Sequence, residues 1–106
     1  MLTFEDFKKL ELKTAKIVDV KDHPNADKLY VITIDVGGEK KDIVAGIKSF
    51  YTPEELKGRN VVIANNIEPA IIRGVESKAM LLAASCADGL SIVTLDRDMP
   101  SGSTVK

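Results

Sequence analysis

Apolar and polar positions alternate from Leu29 to Val36, and this period of two predicts a strand that is buried on one face. The apolar positions of the stretch are Tyr30, Ile32, Ile34 and Val36. Gly37 and Gly38 follow directly, and adjacent glycines supply the positive φ angles of a two-residue hairpin turn. We therefore expect an antiparallel return strand over residues 40–45.

An earlier strand is predicted over residues 12–20, although its alternation is imperfect. Lys16 falls on the face that otherwise carries apolar side chains. A β-bulge near Ala15 would restore the phase, because a bulge inserts one extra residue into one strand of a pair. Alternatively, the aliphatic stem of Lys16 lies along apolar surface and needs no bulge.

Two short helices are predicted from their start signals. Thr3 and Asp6 have the spacing of a capping box, and Phe4 and Phe7 then share one helical face that we expect to join the core. The second helix lies within residues 52–58. There a threonine cap, a proline at the first helical position, a glutamate three residues after the cap and a closing glycine occur in the preferred order.

The rest of the chain reads as short strands and one long loop. The expected elements are a strand at 61–64, a loop at 65–78, strands at 79–84 and 91–95, and an edge strand at 104–105. Five or six strands with a helix between the third and fourth predict one all-β domain over residues 1–106. The expected fold class is an OB-fold five-stranded barrel with short helices and extra terminal elements.

In an OB fold the loops between strands 1 and 2 and between strands 4 and 5 bind the ligand. Residues 23–28 and 65–78 occupy these two positions. Six side chains in these loops or directly after them are candidates for RNA contact: Lys28, Asn66, Arg73, Ser77, Lys78 and Met80. Arg73 is the strongest donor among them, because guanidinium binds phosphate with two parallel hydrogen bonds and stacks on bases.

Each candidate also has an alternative role without RNA contact, and for Arg73 this is a surface arginine beside an ordinary turn glycine. Lys28 and Lys78 fit solvated lysines at strand starts, and the Asn66 amide is more often a cap for the loop backbone than a reader of base edges. Ser77 has the alternative of bonding its own backbone, and Met80 of packing in the core. Aromatic residues are few, with two tyrosines, three phenylalanines and no tryptophan. This favours recognition of RNA backbone and shape over stacking of single-stranded bases.

Composition narrows the possible functions and cellular locations of the protein. The net charge is −1, from 15 basic and 16 acidic residues, which predicts weak and salt-sensitive binding of nucleic acid. The single cysteine, Cys86, excludes an intrachain disulfide, fits a reducing cytoplasm and is expected to be a partly buried filler. No apolar run is long enough for a membrane helix, and residues 1–9 do not resemble a signal peptide.

Catalysis is not expected. His23 is the only histidine, so any Ser–His or Cys–His pair would have to use it, and its position before Pro24 is typical of a turn. No cysteine–histidine cluster for zinc and no glycine-rich phosphate loop occur. We therefore predict no catalytic residues, no metal and no cofactor.

Several ordered blocks together resemble the tRNA-binding domain found at the C-terminal end of many methionyl-tRNA synthetases and in stand-alone structure-specific tRNA-binding proteins. The blocks are His23-Pro24-Asn25-Ala26-Asp27-Lys28-Leu29, Tyr51–Gly58, Asn66–Pro69, Arg73–Ser77 and Met80–Ala84. The resemblance implies a homodimer that binds tRNA by shape without chemistry of its own. It would act as the beta subunit of a synthetase, most readily methionyl-tRNA synthetase, or as an auxiliary factor. The tRNA contacts that it carries over are Lys28, Asn66, Arg73, Ser77 and Met80.

Three positions depart from the family pattern, and the fold has one alternative function. Ile71 stands where the family usually has a basic residue, Ala79 where it usually has glycine, and Ala45 where it often has serine. We expect the first two changes to weaken phosphate binding and to narrow the groove. The same fold resembles CsaA-like dimeric peptide-binding chaperones, which an exposed apolar patch between the two loops would favour. Apolar terminal segments, residues 1–10 and 90–105, are expected to form the dimer contact.

Overall fold

The computed structural model describes all 106 residues. It contains two short helices and ten strands. The helices are α1 (Phe4–Lys8) and α2 (Pro53–Leu56). The strands are β1 (Leu12–Asp22), β2 (Tyr30–Val36), β3 (Glu39–Ala45), β4 (Asn60–Ala64), β5 (Ala70–Ile72), β6 (Val75–Ser77), β7 (Met80–Leu81), β8 (Ala83–Cys86), β9 (Gly89–Ile92) and β10 (Thr104–Val105).

The main sheet is antiparallel, with strand order β3-β2-β1-β4-β7 and β10 paired to β1. It curls so that its two edges approach each other. The Lys78 N–H donates to the Asp42 carbonyl at 3.1 Å, and the Val44 N–H donates to the Ser77 hydroxyl at 2.9 Å. The predicted OB-like all-β fold is thereby confirmed, as a curled half-barrel whose edges are joined by single hydrogen bonds.

The long first strand contains the expected irregularity, but later in the chain than predicted. The register of β1 on β2 shifts between Ile17 and Asp19, not near Ala15. Ala15, Ile17 and Val20 are all buried, whereas Val18 is 43% exposed. Because the last two buried positions are three residues apart, a strand of period two needs one extra residue between them.

One core lies inside the curled sheet. Fourteen buried side chains form it, contributed by β1–β4, α2, the loop after β3, Ala79 and β9. Leu56 is the one buried residue of α2 and has no solvent exposure. The capping boxes predicted at Thr3 and Thr52 are both present, so the two helix starts are confirmed.

The N-terminal helix does not join this core. Phe4 is 86% exposed and Phe7 is 44% exposed, so the expectation that both are core residues is wrong for the single chain. Phe4, Phe7, Leu10 and Val105 instead line an open groove of about 650 Å³. Neither helix is long and apolar enough to cross a membrane.

The second half of the chain differs most from the prediction. Residues 65–78 contain the hairpin β5–β6 and are not a plain loop. The strand predicted at 79–84 is divided, because β7 pairs with β4 while β8 pairs with β9 in a separate hairpin. The strand pairing changes at Leu82. Its N–H donates to the Val62 carbonyl, and its carbonyl accepts from the Val93 N–H. The expected strand at 91–95 is β9, which ends at Ile92, and Cys86 is exposed in β8 rather than partly buried.

Candidate nucleic-acid interface

The loop between β1 and β2 is docked on the hairpin β5–β6. His23 is 5% exposed, and its ring Nε2 lies 2.9 Å from the Ile72 carbonyl oxygen. The Asn25 side-chain amide donates to the Arg73 carbonyl at 3.0 Å. Two segments almost fifty residues apart in the sequence therefore form one surface, and the role of His23 in joining them was missed by the sequence reasoning.

The hairpin presents Arg73 at its tip. Arg73 and Gly74 have φ angles of 52° and 89°, the positive pair that characterises a type I′ turn. A non-glycine residue in this region costs roughly 1–2 kcal/mol, so the conformation requires support from its surroundings. Asn25 supplies contacts to both the backbone and the side chain of Arg73, the second a long 3.4 Å hydrogen bond from Nη2 to the Asn25 carbonyl.

Lys28 and Arg73 line the same cleft. It has a volume of about 380 Å³ and is otherwise bordered by Ala26, Asp27 and Leu29. Lys28 is exposed and takes part in none of the chain's ion pairs. The cleft thus holds two cations against one carboxylate, and it offers a net positive surface that water reaches freely.

Lys78 and Met80 lie at the base of the hairpin. The Lys78 side chain is 54% exposed, and its ammonium is 4.0 Å from the Glu76 carboxylate. Met80 is 54% exposed rather than buried, so its alternative role as a core residue does not hold. Met80 and the base of the hairpin border a small cavity of about 130 Å³ with apolar walls. Lys78 and Met80 therefore lie at the end of the hairpin opposite Arg73 and outside the cleft.

Asn66 and Ser77 are engaged with the backbone. Asn66 accepts a hydrogen bond from the Glu11 N–H at 2.7 Å and donates to the Lys9 carbonyl at 2.6 Å. Ser77 is 5% exposed, and its hydroxyl accepts from the Val44 N–H and donates to the Ala79 carbonyl at 3.0 Å. Ser77 thus has a local backbone bond, as its alternative role predicted, whereas Asn66 bonds to a distant segment instead of capping its own loop. Neither side chain lines the cleft.

Ala79, another departure from the family pattern, is 2% exposed and packs in the core. It borders the small cavity beside Met80 and does not line the Lys28–Arg73 cleft. Ile71, by contrast, is 69% exposed on the hairpin, where a basic side chain would have added charge. The basic side chain that the family usually has at position 71 is therefore absent from an exposed position of the hairpin, and the expected effects of both departures on tRNA binding stay predictions.

No aromatic side chain lines the cleft. Tyr30 is 3% exposed and donates its hydroxyl hydrogen to the Tyr51 carbonyl at 2.6 Å. Burial, with a smaller contribution from the Asp22 carboxylate, raises the pKa of Tyr30 above its ordinary value. No group of three or more histidine, cysteine, aspartate or glutamate side chains is arranged to hold a metal ion. The cleft offers two cations, Lys28 and Arg73, which suit phosphate.

An antiparallel half-barrel with a basic cleft between the loops after its first and fourth strands defines an OB-like nucleic-acid-binding module. The sequence profile described as "Putative tRNA binding domain" matches residues 12–104, and the chain belongs to this family of tRNA-binding domains. A methionine–tRNA ligase of Pyrococcus furiosus is 50% identical over 105 residues, which are 99% of this chain and 14% of the ligase. The chain thus spans about one seventh of the length of the methionine–tRNA ligases that it matches.

Two solved structures have the same fold over the full chain. A MetRS-related protein from Pyrococcus horikoshii superimposes with a TM-score of 0.92 at 29% identity, covering 100% of this chain and 98% of that protein. The chaperone CsaA from Bacillus anthracis has the same TM-score at 26% identity, with 100% and 99% covered. The sequence resemblance to the tRNA-binding domain of methionyl-tRNA synthetases is confirmed.

Proposed function

We propose that the domain binds tRNA by its shape and phosphate backbone through the Lys28–Arg73 cleft. One observation carries the proposal: the loops after β1 and β4 meet and present two cations in one cleft. The Lys28 ammonium and the Arg73 guanidinium would each approach a phosphate, with Lys78 and Met80 extending the contact along the hairpin. Because no aromatic platform is present, base sequence would contribute little.

The domain would serve a methionyl-tRNA synthetase as its beta subunit or as an auxiliary factor. The ligases that it resembles are about seven times longer, and we assign aminoacylation to a catalytic chain or segment outside these 106 residues. The proposed contribution of the domain is added affinity for tRNA, without a chemical step and without a cofactor. We place this activity in the cytoplasm, where tRNA is charged.

The test is a fluorescence titration with bulk tRNA at about 50 and 200 mM salt. If three cations meet phosphates, affinity should fall roughly 20–40-fold between these concentrations. Arg73→Ala should weaken binding about tenfold at low salt. Arg97→Ala is the matched control, since Arg97 is an exposed arginine beside Asp96, away from the cleft, and its loss should change affinity less than about twofold.

Competition decides whether the recognition depends on shape. Unlabelled tRNA should displace the probe more effectively than duplex or single-stranded RNA of equal length. Equal competition by all three would indicate binding to phosphate alone. Unchanged affinity of Arg73→Ala at low salt would remove Arg73 from the site.

A second candidate function is peptide binding, which the exposed apolar side chains of the hairpin region favour. Ile71, in the middle of β5, is 69% exposed, and Met80, beyond the hairpin base, is 54% exposed. A chaperone is among the proteins of the same fold. Binding of an unfolded, permanently denatured polypeptide that persists at high salt, without tRNA binding at low salt, would establish this function instead.

We further propose that two copies pair through the N-terminal groove. Leu2 and Phe4 are 84% and 86% exposed, and Phe7, Leu10 and Val105 continue the apolar surface. A monomer seldom leaves such a patch in water. Sedimentation equilibrium at micromolar concentration should give twice 11.5 kDa, and Phe4→Ser should shift the protein to monomer. A wild-type mass of 11.5 kDa would refute the pairing.

A further inference from the structure

The hydrogen bonds of His23 specify one form of its ring. The Asn25 backbone N–H donates to Nδ1 at 2.9 Å, and Nε2 lies 2.9 Å from the Ile72 carbonyl oxygen. A backbone N–H can only donate and a carbonyl can only accept. The neutral imidazole with hydrogen on Nε2 and none on Nδ1 satisfies both partners, and no other form does.

These two bonds connect different parts of the chain. The Nδ1 bond stays within the loop after β1, where it closes a turn over residues 23–25. The Nε2 bond crosses to Ile72, the residue directly before Arg73. Asn25 continues the connection, because its amide donates to the Arg73 carbonyl. A Cβ on Gly74 would lie 3.4 Å from the Asn25 amide nitrogen, so the loop and the turn are in close contact.

The hairpin needs this connection because it is small. β5 and β6 form a separate two-stranded sheet of three residue pairs, and an isolated hairpin is marginal in water. Ser77 ties the base of the hairpin to β3 through the Val44 N–H. At the opposite end, His23 and Asn25 are the side chains that hold the turn carrying Arg73.

We infer that His23 is a positioning residue for tRNA binding: its neutral ring, through the Nε2–Ile72 bond, fixes the hairpin tip so that Arg73 faces Lys28 across the cleft. The inference rests on the proposed function, since it assigns His23 a role only through Arg73. His23 itself is buried, so the inference assigns it no direct contact with RNA.

Two substitutions separate the two ring nitrogens. In His23→Asn the side-chain oxygen replaces Nδ1 as acceptor for the Asn25 N–H, but the side chain is too short to reach Ile72. In His23→Gln the amide nitrogen replaces Nε2 as donor to Ile72, and the local turn bond is lost. We expect His23→Asn to bind tRNA about fivefold more weakly and His23→Gln to stay within about twofold of wild type.

A double-mutant cycle with Arg73→Ala connects the effect to its target. Once Arg73 is absent, its position no longer matters, so His23→Asn/Arg73→Ala should bind as weakly as Arg73→Ala and no weaker. A full additional fivefold loss in the double variant would show that His23 acts independently of Arg73, and it would overturn the inference. A circular dichroism melt of each variant gives its Tm, and binding is then measured at a temperature well below that Tm.

The same experiment distinguishes the failure of the inference from the failure of the proposed function. Normal binding by His23→Asn beside weak binding by Arg73→Ala would refute the inference alone. Wild-type protein that binds no tRNA at low salt would refute the proposed function. Equal losses in His23→Asn and His23→Gln would overturn the assignment to the Nε2–Ile72 bond.

Nuclear magnetic resonance gives a readout that does not depend on binding. Because the chain has a single histidine, a long-range ¹H–¹⁵N spectrum reports on His23 without assignment. We expect a protonated Nε2 and a bare Nδ1 at neutral pH. A ring with hydrogen on Nδ1 would contradict the geometry and the inference together.

Discussion

Replacing Asn66 with alanine distinguishes a structural amide from one that contacts RNA. The substitution removes the hydrogen bonds to Glu11 and Lys9, which join the chain after β4 to the segment between α1 and β1. An intramolecular hydrogen bond contributes roughly 0.5–1.5 kcal/mol. Because water partly replaces both bonds at this exposed position, we expect the free energy of unfolding to fall by about 1–2 kcal/mol.

Thermal melts followed by circular dichroism measure this loss. For a domain of this size each kcal/mol lowers the Tm by roughly 4–8 °C. Asn66→Asp is the matched variant: it retains the acceptor for the Glu11 N–H but places a carboxylate oxygen against the Lys9 carbonyl. We expect it to be at least as destabilised as Asn66→Ala.

Titration with tRNA, at a temperature where both variants are folded, completes the test. If the amide is structural, the affinity of Asn66→Ala should stay within about twofold of wild type. If Asn66 contacts RNA, affinity should fall in both variants, and further in Asn66→Asp because its charge repels phosphate. Lost affinity with an unchanged Tm would therefore refute the structural role.

Three further predictions concern stability. Gly102→Ala should cost about 1–3 kcal/mol in urea unfolding, because φ is 86° and the new Cβ would lie 2.8 Å from the Gly37 Cα. Thr52→Ala should cost about 1 kcal/mol, also in urea, because it removes the cap of α2; an unchanged midpoint would contradict the capping role. The pKa of Tyr30 is raised in the folded chain, so the unfolded chain loses the phenolic proton first, and stability that is complete below the ordinary value of 10.0 falls above it. Tyr30→Phe should reduce this alkaline loss in unfolding curves measured over a pH series, and an equal loss in both proteins would contradict it.

Local features of the sequence were sufficient to predict structure where a turn, a helix start or a strand depends only on residues a few positions apart. The glycine pair after Val36 produces the two-residue turn that joins β2 to β3, with Val36 opposite Glu39. Both capping boxes form, because cap and third helical residue satisfy each other's backbone groups within four positions. Alternation along β2 correctly assigned the buried face, since a strand's side chains alternate whatever lies next to it.

Contacts with distant segments decided the features that were predicted incorrectly. The sequence of residues 79–84 predicts one apolar strand, yet the pairing changes at Leu82 from β4 to β9. No local sequence feature marks this change. Phe4 and Phe7 form an apolar helical face as expected, but periodicity shows only that a face avoids water and not which surface covers it.

The sequence by itself determined the fold class, the family and the two loops that carry the candidate site, because turn signals, caps and alternation act over a few residues and many motif blocks occur in order. Only the tertiary structure showed which of the six candidate residues line the cleft and which are bonded to backbone groups. It brought Lys28 and Arg73 into one cleft, engaged Asn66 and Ser77 with backbone groups, and gave His23 a partner 49 residues away. The physical reason is that a side chain's role depends on which donors, acceptors and charges surround it. Those neighbours are set by the packing of the whole chain.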